Sequence, residues 1–453
     1  MQTHDDAQSF VDALVAKGVT GASFACWDGA KLHTAVAGLR NSVTGDPVTL
    51  DTLMHIGSIT KVFNAVLLLQ LVDEGKIALQ DAVIKHLPEL RLRDRQALSR
   101  ITCEMLINHT NGIDGDAFPD YGPDRERIED AIVRCEELGQ LHAPGEAASY
   151  SNIGTVIAGY LVQKLRQTSW YSLIKTRIFE PLGMLHAISE LTDLPRFRHS
   201  VGDVTDRATG RSVQTTRPFL SLSFAPAGAT LMMTAADLVS FARALLNGGV
   251  GANGTRILSE ALSARMARPT AEFVSPVGAV GLGWMVRAGG LLSHSGGGPG
   301  VFSQLYAHPA SGRALALLTN CDRMHLLTAS LEPLFGSWTG SRAVESAAPD
   351  SVSDVSDPAP YEGVYESGLV RAEVIRTGHG LALRMSMKTR IYDNSIMQTE
   401  APAIPLRPLG NDTFDAGPAL QGFPSTRFRL VRPDAAGRMR FFAMGSRLLA
   451  RTQ

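Results

Sequence analysis

Between residues 62 and 72 the chain reads VFNAVLLLQLV, an apolar run interrupted only by Asn64 and Gln70. Apolar side chains on every side of a helix imply that the whole helix is buried, so the stretch predicts an interior helix over 61–74 with Lys61 at its head. One-sided helical periods predict further helices over 7–16, 127–137, 153–166 and 235–247, the last opened by Thr234 as N-cap and closed by Gly248. Strand-like runs bounded by turn residues fall near 21–38, 281–287, 291–294, 302–307 and 313–319. Strands in the first and last thirds with helices between them predict an α/β (more narrowly α+β) architecture. In it, an antiparallel sheet is flanked by helices and carries an inserted helical lobe.

The texture changes after residue 340. Residues 341–360, rich in Ser, Ala, Asp and Pro and lacking an aromatic side chain, cannot anchor themselves in a core and read as a linker. Beyond them the period becomes two. Leu381, Leu383 and Met385 alternate with Ala382 and Arg384, and residues 427–442 read as two strands joined by a turn from Pro433 to Gly437. The expected organisation is therefore a catalytic-sized domain over 1–340, a linker over 341–360 and a small antiparallel barrel or meander over 361–453.

Bulk composition narrows the function. A chain of 453 residues with 44% hydrophobic and 19% charged residues, a formal charge of −1 and a pI near 6.9 has no basic stripe for a phosphate backbone, which argues against nucleic acid as a partner. The first residues, MQTHDDAQSFVDALVAKG, are acidic where a secretory signal is basic. The longest apolar run is too short to cross a bilayer. The expectation is a cytoplasmic protein with no membrane partner. Cys26, Cys103, Cys135 and Cys321 are widely separated and show no C-x-x-C spacing, the pattern of reduced structural thiols rather than a disulfide framework or a zinc site.

Three constellations can carry chemistry. If the buried helix starts near Ser58, Lys61 lies on the same face and its amine reaches the Ser58 hydroxyl. Desolvation lowers a lysine pKa by up to about 3–5 units, and a neutral amine beside a hydroxyl is a general base beside a nucleophile. The helix N-terminus further favours negative charge developing at Ser58. Ser-x-x-Lys is a weak pattern alone, and a second copy stands at Ser172 and Lys175, in an amphipathic stretch where the lysine can point to water. The second constellation is Tyr150-Ser151-Asn152, just ahead of another apolar helix. Its phenol can relay protons and its amide can hold a carbonyl or the lysine. A matching triplet, Tyr392-Asp393-Asn394, occurs in the tail. The third is His294-Ser295-Gly296, ending a strand before a glycine-rich turn whose backbone amides suit an oxyanion hole. Neither a phosphate-loop pattern nor a dinucleotide fingerprint is present.

In this order the three motifs resemble the serine hydrolases of the class C β-lactamase, DD-peptidase and D-aminopeptidase superfamily. Further stretches carry the likeness: LINHTNGI (106–113), IFEPLGM (178–184), PAGATLMMTAADLVSFARALLNGG (226–249) and GLGW (281–284). PYEGVYES (360–367) looks like the start of the lipocalin-like barrel appended to D-aminopeptidase-type members. The resemblance implies a β-lactamase-like fold in which Ser58 attacks an ester or amide carbonyl while Lys61 and Tyr150 take and relay its proton. Asn152, His294, Ser295 and Gly296 would bind the substrate, and the amides of Ser58 and Gly297 would hold the oxyanion. No cofactor or metal is implied.

Histidine stands at 294 where β-lactamases of that family carry a lysine. Being mostly neutral at pH 7, it is a weaker anchor for an antibiotic carboxylate, so β-lactam hydrolysis is not the expected activity. The first expectation is hydrolysis of a small intracellular ester or amide through acyl-Ser58. An amine or alcohol acceptor in place of water gives a transacylase, as in secondary-metabolite (antibiotic) biosynthesis. A non-catalytic binding protein of the same fold is the alternative from another class. For the tail, the expectations are shielding of the sheet or help in forming a homodimer, and more sharply a loop that reaches the pocket and limits the acceptor.

Overall fold

The structure is a computed structural model and describes residues 4–115, 127–206, 209–274, 278–324, 327, 330–331, 355, 357–378, 380–388, 402–417 and 427–453. The linker expected at 341–360 therefore lies largely outside the described residues, as does the triplet at 392–394.

Nine strands form the first sheet: β1 (Gly21–Trp27), β2 (Leu32–Asn41), β3 (Asp46–Pro47), β4 (Ala271–Glu272), β5 (Ala279–Val280), β6 (Met285–Val286), β7 (Leu292–Gly298), β8 (Val301–His308) and β9 (Arg313–Thr319). Their spatial order is β3-β2-β1-β9-β8-β7-β6-β5-β4, and every pairing is antiparallel. Residues 21–47 and 271–319 thus share one sheet, joined by β1 against β9, with Ala22 opposite Thr319.

Alternation assigns the two faces. Phe24, Cys26, Leu315 and Leu317 face helix α1 (His4–Ala16) through its Ala7, Val11 and Leu14. Ala25, Ala314, Ala316 and Leu318 face the larger core, which contains α2 (Thr60–Asp73), α3 (Asn152–Arg166) and α4 (Ala235–Leu246). Thr234 caps α4 by accepting the Asp237 amide at 3.2 Å. Phe63 of α2 stacks on Phe241 of α4 with ring centroids 3.7 Å apart.

Helix α2 is buried from Thr60 to Leu71, and each fully buried Val, Leu or Phe there contributes about 1.5–3 kcal/mol. Its two polar interruptions are satisfied. Asn64 donates to Thr155 O (3.0 Å) and accepts from Trp170 Nε1 (2.8 Å), and Gln70 donates to Ile257 O at 2.8 Å.

Three local expectations change. The span 21–38 is two strands, because Asp28 Oδ1 accepts the amides of Ala30 and Lys31 and closes a turn. Of 281–287 only Met285–Val286 is strand, since Gly281 N turns back onto Trp284 O and Gly283 N goes to Ile107 O. The helix over 127–137 is α-helical at Ile128–Val133 and tightens to 3₁₀ at Arg134–Glu137.

The tail forms a second nine-stranded antiparallel sheet of β10 (Gly363–Glu366), β11 (Val370–Thr377), β12 (Gly380–Met387), β13 (Ile404–Pro405), β14 (Arg407–Gly410), β15 (Thr413–Asp415), β16 (Arg427–Pro433), β17 (Met439–Met444) and β18 (Arg447–Arg451). Its order is β13-β12-β11-β10-β18-β17-β16-β15-β14. The two edge strands are consecutive in the chain, so the sheet curls nearly closed. Leu381, Leu383 and Met385 face its interior with Phe414, Phe428 and Phe442, following the alternation read from sequence.

The barrel sits directly on the first sheet's helical lobe. Val431, Phe441, Ala443 and Leu448 pack against Ala147, Leu448 N donates to Ser149 Oγ at 3.1 Å, and Gly368 N donates to the Asp114 carboxylate at 2.8 Å. Glu146 pairs with Arg440 at 2.7 Å.

Candidate active site

The chain enters α2 through a single 3₁₀ turn, Gly57–Ile59, so Ser58 stands on the turn before the α-helix rather than on its first residue. Two glycines make that turn possible. Gly57 has φ 52°, and a Cβ there would lie 2.7 Å from Gly297 N. Gly228, with φ 131°, would put a Cβ 2.8 Å from Ser58 N. The backbone at Gly57 and Ser58 is thereby nested between strand β7 and Gly228. His55 ties the same pieces together, because Gly57 N donates to its Nδ1 (3.1 Å) while its Nε2 lies 3.1 Å from Ala229 O. An amide that can only donate and a carbonyl that can only accept fix the neutral Nε2–H tautomer, and burial lowers the His55 pKa.

Lys61 is 2% exposed. Its Nζ lies 3.2 Å from Ser58 Oγ and 2.5 Å from Ala227 O, so the amine is held by one carbonyl and aimed at the hydroxyl. Ser58 itself is only partly covered. The Tyr150 ring lies beside this pair, its centroid 4.8 Å from Lys61 Nζ. Tyr150 stands just before Ser151, the extended N-cap of α3. Ser151 Oγ accepts the Gly154 amide at 3.2 Å, which starts the helix and leaves Asn152 buried on its first turn.

Strand β7 forms the opposite wall. Arg287 N donates to Leu291 O, so the odd-numbered residues of this strand turn their peptide groups toward β6. Pairing with β6 ends at Ser293, and beyond it Ser295 and Gly297 present their amides along an open edge. Gly297 is exposed, with nothing within 4 Å of an added Cβ. It adjoins Gly57, whose chain leads directly to Ser58. Amides on such an edge can receive the oxygen of a carbonyl whose carbon lies at the Ser58 hydroxyl. Gly296 is instead packed under Ile56 O.

His294 is buried, its ring 6.3 Å from Tyr150. Its Nδ1 bonds Ser295 O at 2.8 Å, while Nε2 is buried with no hydrogen-bond partner among the described residues. Burial first, and then the Lys61 charge, push its pKa down to about 3 against the favourable Ser295 carbonyl. No cation therefore stands at the third motif near neutral pH.

Ser58, Lys61, Tyr150, His294 and Gly297 are thus brought together from the turn before α2, α2 itself, the residue before α3's N-cap and β7, with Asn152 two residues beyond Tyr150 and with Ser295 and Gly296 between His294 and Gly297. The second Ser-x-x-Lys is not among them: Lys175 is exposed. Three residues at the site were missed from sequence. His55 and His109 act through backbone amides, a role that leaves no spacing signal. Arg447 opens β18 and lies with Cζ 4.7 Å from the Tyr150 ring centroid, while Ser446 O of the turn just before it accepts the Tyr150 amide at 2.8 Å. Among the described residues no cluster of side chains could hold a metal, and no helix is long and apolar enough to cross a membrane. All four cysteines are free and buried. Burial raises the Cys103 and Cys135 thiols to about 12, so neither competes as a nucleophile.

The family model described as Beta-lactamase matches residues 7–330. Penicillin-binding protein 4 of Amycolatopsis lactamdurans is 33% identical over 356 residues, 77% of this chain and 93% of that protein. The crystal structure of SurE superposes with a TM-score of 0.81 at 25% identity, covering 99% of both chains. D-amino acid amidase from Ochrobactrum anthropi SV3, crystallised with L-phenylalanine amide, superposes with a TM-score of 0.61 at 28% identity over 70% of this chain and 91% of that one.

Proposed function

This chain belongs to the Beta-lactamase family, and on that premise we propose that it is a serine hydrolase that cleaves an ester or amide of a small substrate through acyl-Ser58. The observation that carries the reading is the buried Lys61 amine 3.2 Å from Ser58 Oγ with the Tyr150 ring beside both. Ser58 Oγ bonds to the carbonyl carbon as its proton passes to the Lys61–Tyr150 pair. The carbonyl oxygen becomes an oxyanion facing the amides of Ser58 and Gly297. Collapse of the tetrahedral adduct breaks the bond to the amine or alcohol, which leaves with the relayed proton. Water then adds to acyl-Ser58 by the reverse sequence, gives up a proton to the same pair and releases the acid. Asn152, His294, Ser295 and the Gly296 segment line the substrate.

The amidase relative acts on amino acid amides by its name, which makes amides and esters of amino acids, D-configured ones included, the first substrates to try. A neutral His294 offers no anchor for the carboxylate of a β-lactam, so that activity is not proposed. A second reading, transfer to an amine or alcohol, is favoured by one feature. Tyr150 is only 9% exposed and lies under Ser446 and Arg447 of the barrel, an arrangement that restricts water at the acyl-enzyme and lets the barrel turn select the acceptor. The two-domain division, with a catalytic unit over 1–340 and a barrel over 361–453, and a cytoplasmic site of action belong to the same proposal.

The test is a panel of D- and L-amino acid amides and activated esters, with and without added amines, with products identified by mass spectrometry. Wild type should release acid, or the new amide when an amine is present, and Ser58→Ala should do neither. Equal turnover by the Ser58→Ala variant would rule the proposal out.

A further inference from the structure

The loop at 108–113 contributes no group to the chemistry above, yet it holds the residue that does. His109 is 2% exposed and has φ 61°, in the left-handed region that non-glycine residues rarely adopt. Both its carbonyl and its ring face residues 149–151. His109 O accepts the Ser149 amide at 2.9 Å, and His109 Nδ1 accepts the Ser151 amide at 3.2 Å. The amides on either side of Tyr150 are therefore taken by a single residue. Its imidazole also lies against the phenol ring, with centroids 4.6 Å apart.

A backbone amide can only donate, so Nδ1 must carry a lone pair and the ring proton must sit on Nε2. A protonated ring would set one N–H against another. The surroundings enforce the neutral form. Burial, followed by the charges of Lys61 and Arg447, holds the His109 pKa well below the ordinary histidine value. Strained residues of this kind cost about 1–3 kcal/mol and persist where the surrounding structure over-determines them, often at functional sites.

We propose that His109 is a positioning residue for Tyr150, holding the phenol at the Ser58–Lys61 pair by accepting the amide that follows it and by packing against its ring. The inference rests on the reading of Tyr150 as the proton carrier in acylation.

The experiment measures acylation of the full-length protein by an activated ester, resolving rate and KM, in wild type, His109→Gly, His109→Asn and His109→Gln. Glycine keeps the left-handed backbone and removes ring and acceptor. Asparagine tolerates the same φ and returns an oxygen near the place of Nδ1, whereas glutamine carries its oxygen one bond too far. A misplaced catalytic group costs up to about 100-fold, so His109→Gly and His109→Gln should acylate about 10- to 100-fold more slowly at unchanged KM. His109→Asn should stay within a few-fold of wild type. Wild-type rates in His109→Gly, or a loss confined to KM, would overturn the proposal. If His109→Gly fails to fold, the Asn and Gln variants decide: equal rates overturn the proposal, and a fast Asn beside a slow Gln upholds it. A wild-type protein that forms no acyl-Ser58 would instead overturn the reading on which the inference rests.

Discussion

Replacing Lys61 by methionine separates its two jobs, as a base and as a piece of the core. Methionine approximates the volume of lysine, and at a position 2% exposed it loses only the amine. On the catalytic side, removing a proton carrier lowers a rate by about 10²- to 10⁴-fold, or about 3–5 kcal/mol of activation free energy. On the stability side, Ala227 O, which accepts from Lys61 Nζ at 2.5 Å, loses its donor at a cost of about 1–3 kcal/mol. Against that stands the relief of a buried polar amine, several kcal/mol when the amine is charged, and the burial of a thioether worth about 1.5–3 kcal/mol. The two stability effects nearly cancel or favour the variant. Lys61→Met should therefore keep or raise its thermal midpoint while acylation by an activated ester falls at least 100-fold. Differential scanning fluorimetry beside stopped-flow acylation reads both quantities on one preparation. A folded Lys61→Met protein acylating at the wild-type rate would refute the reasoning, as would a loss of activity that only tracks unfolding.

Four other outcomes follow from the geometry. His55, His109 and His294 have pKa values lowered by burial, while the unfolded chain protonates them near 6.5. Their stabilisation is complete above about pH 6.5 and is lost on acidification at about 1.4 kcal/mol per pH unit and per histidine. For His294 the loss continues down to its folded value of about 3; thermal midpoints from pH 7.5 to 5.5 should fall, less steeply in His109→Asn, and a flat profile would contradict the assignment. Gly57→Ala must place a Cβ 2.7 Å from Gly297 N at φ 52°, so it should destabilise by about 1 kcal/mol or more and lose acylation further than the unfolded fraction explains; a normally reactive variant would show that Gly57 and Gly297 do not set the site. Arg447→Met opens the barrel turn over Tyr150 and should raise the ratio of acid to amide product in the presence of an amine, and an unchanged ratio would remove the barrel from acceptor choice. Lys175→Met, at an exposed position, should leave acylation unchanged, and a loss there would break the distinction between the two Ser-x-x-Lys copies.

The elements legible in the sequence were those whose period or cap is local. The apolar run at 62–72, the Thr234 cap and the alternation at Leu381, Leu383 and Met385 all describe contacts a residue makes with its own helix or sheet face. The strand expected over 281–287 failed because Gly281 and Gly283 bend the chain toward Trp284 and Ile107, an outcome decided by distant partners. The residues on which the proposal rests could be picked out for a similar reason: Ser58 and Lys61 sit three apart, and Tyr150 and Asn152 two apart. Their supports were not. His55 acts on Gly57 and Ala229, His109 on the amides around Tyr150, and Arg447 reaches Tyr150 from the far end of the chain. Each needs the folded backbone before its role exists.

The most direct measurement is the intact mass of the protein after brief exposure to an activated ester, with peptide mapping of any adduct. One added acyl group carried by the peptide containing Ser58, and none in Ser58→Ala, is the predicted result. An unmodified wild-type protein, or an adduct mapped to another residue, would contradict the account.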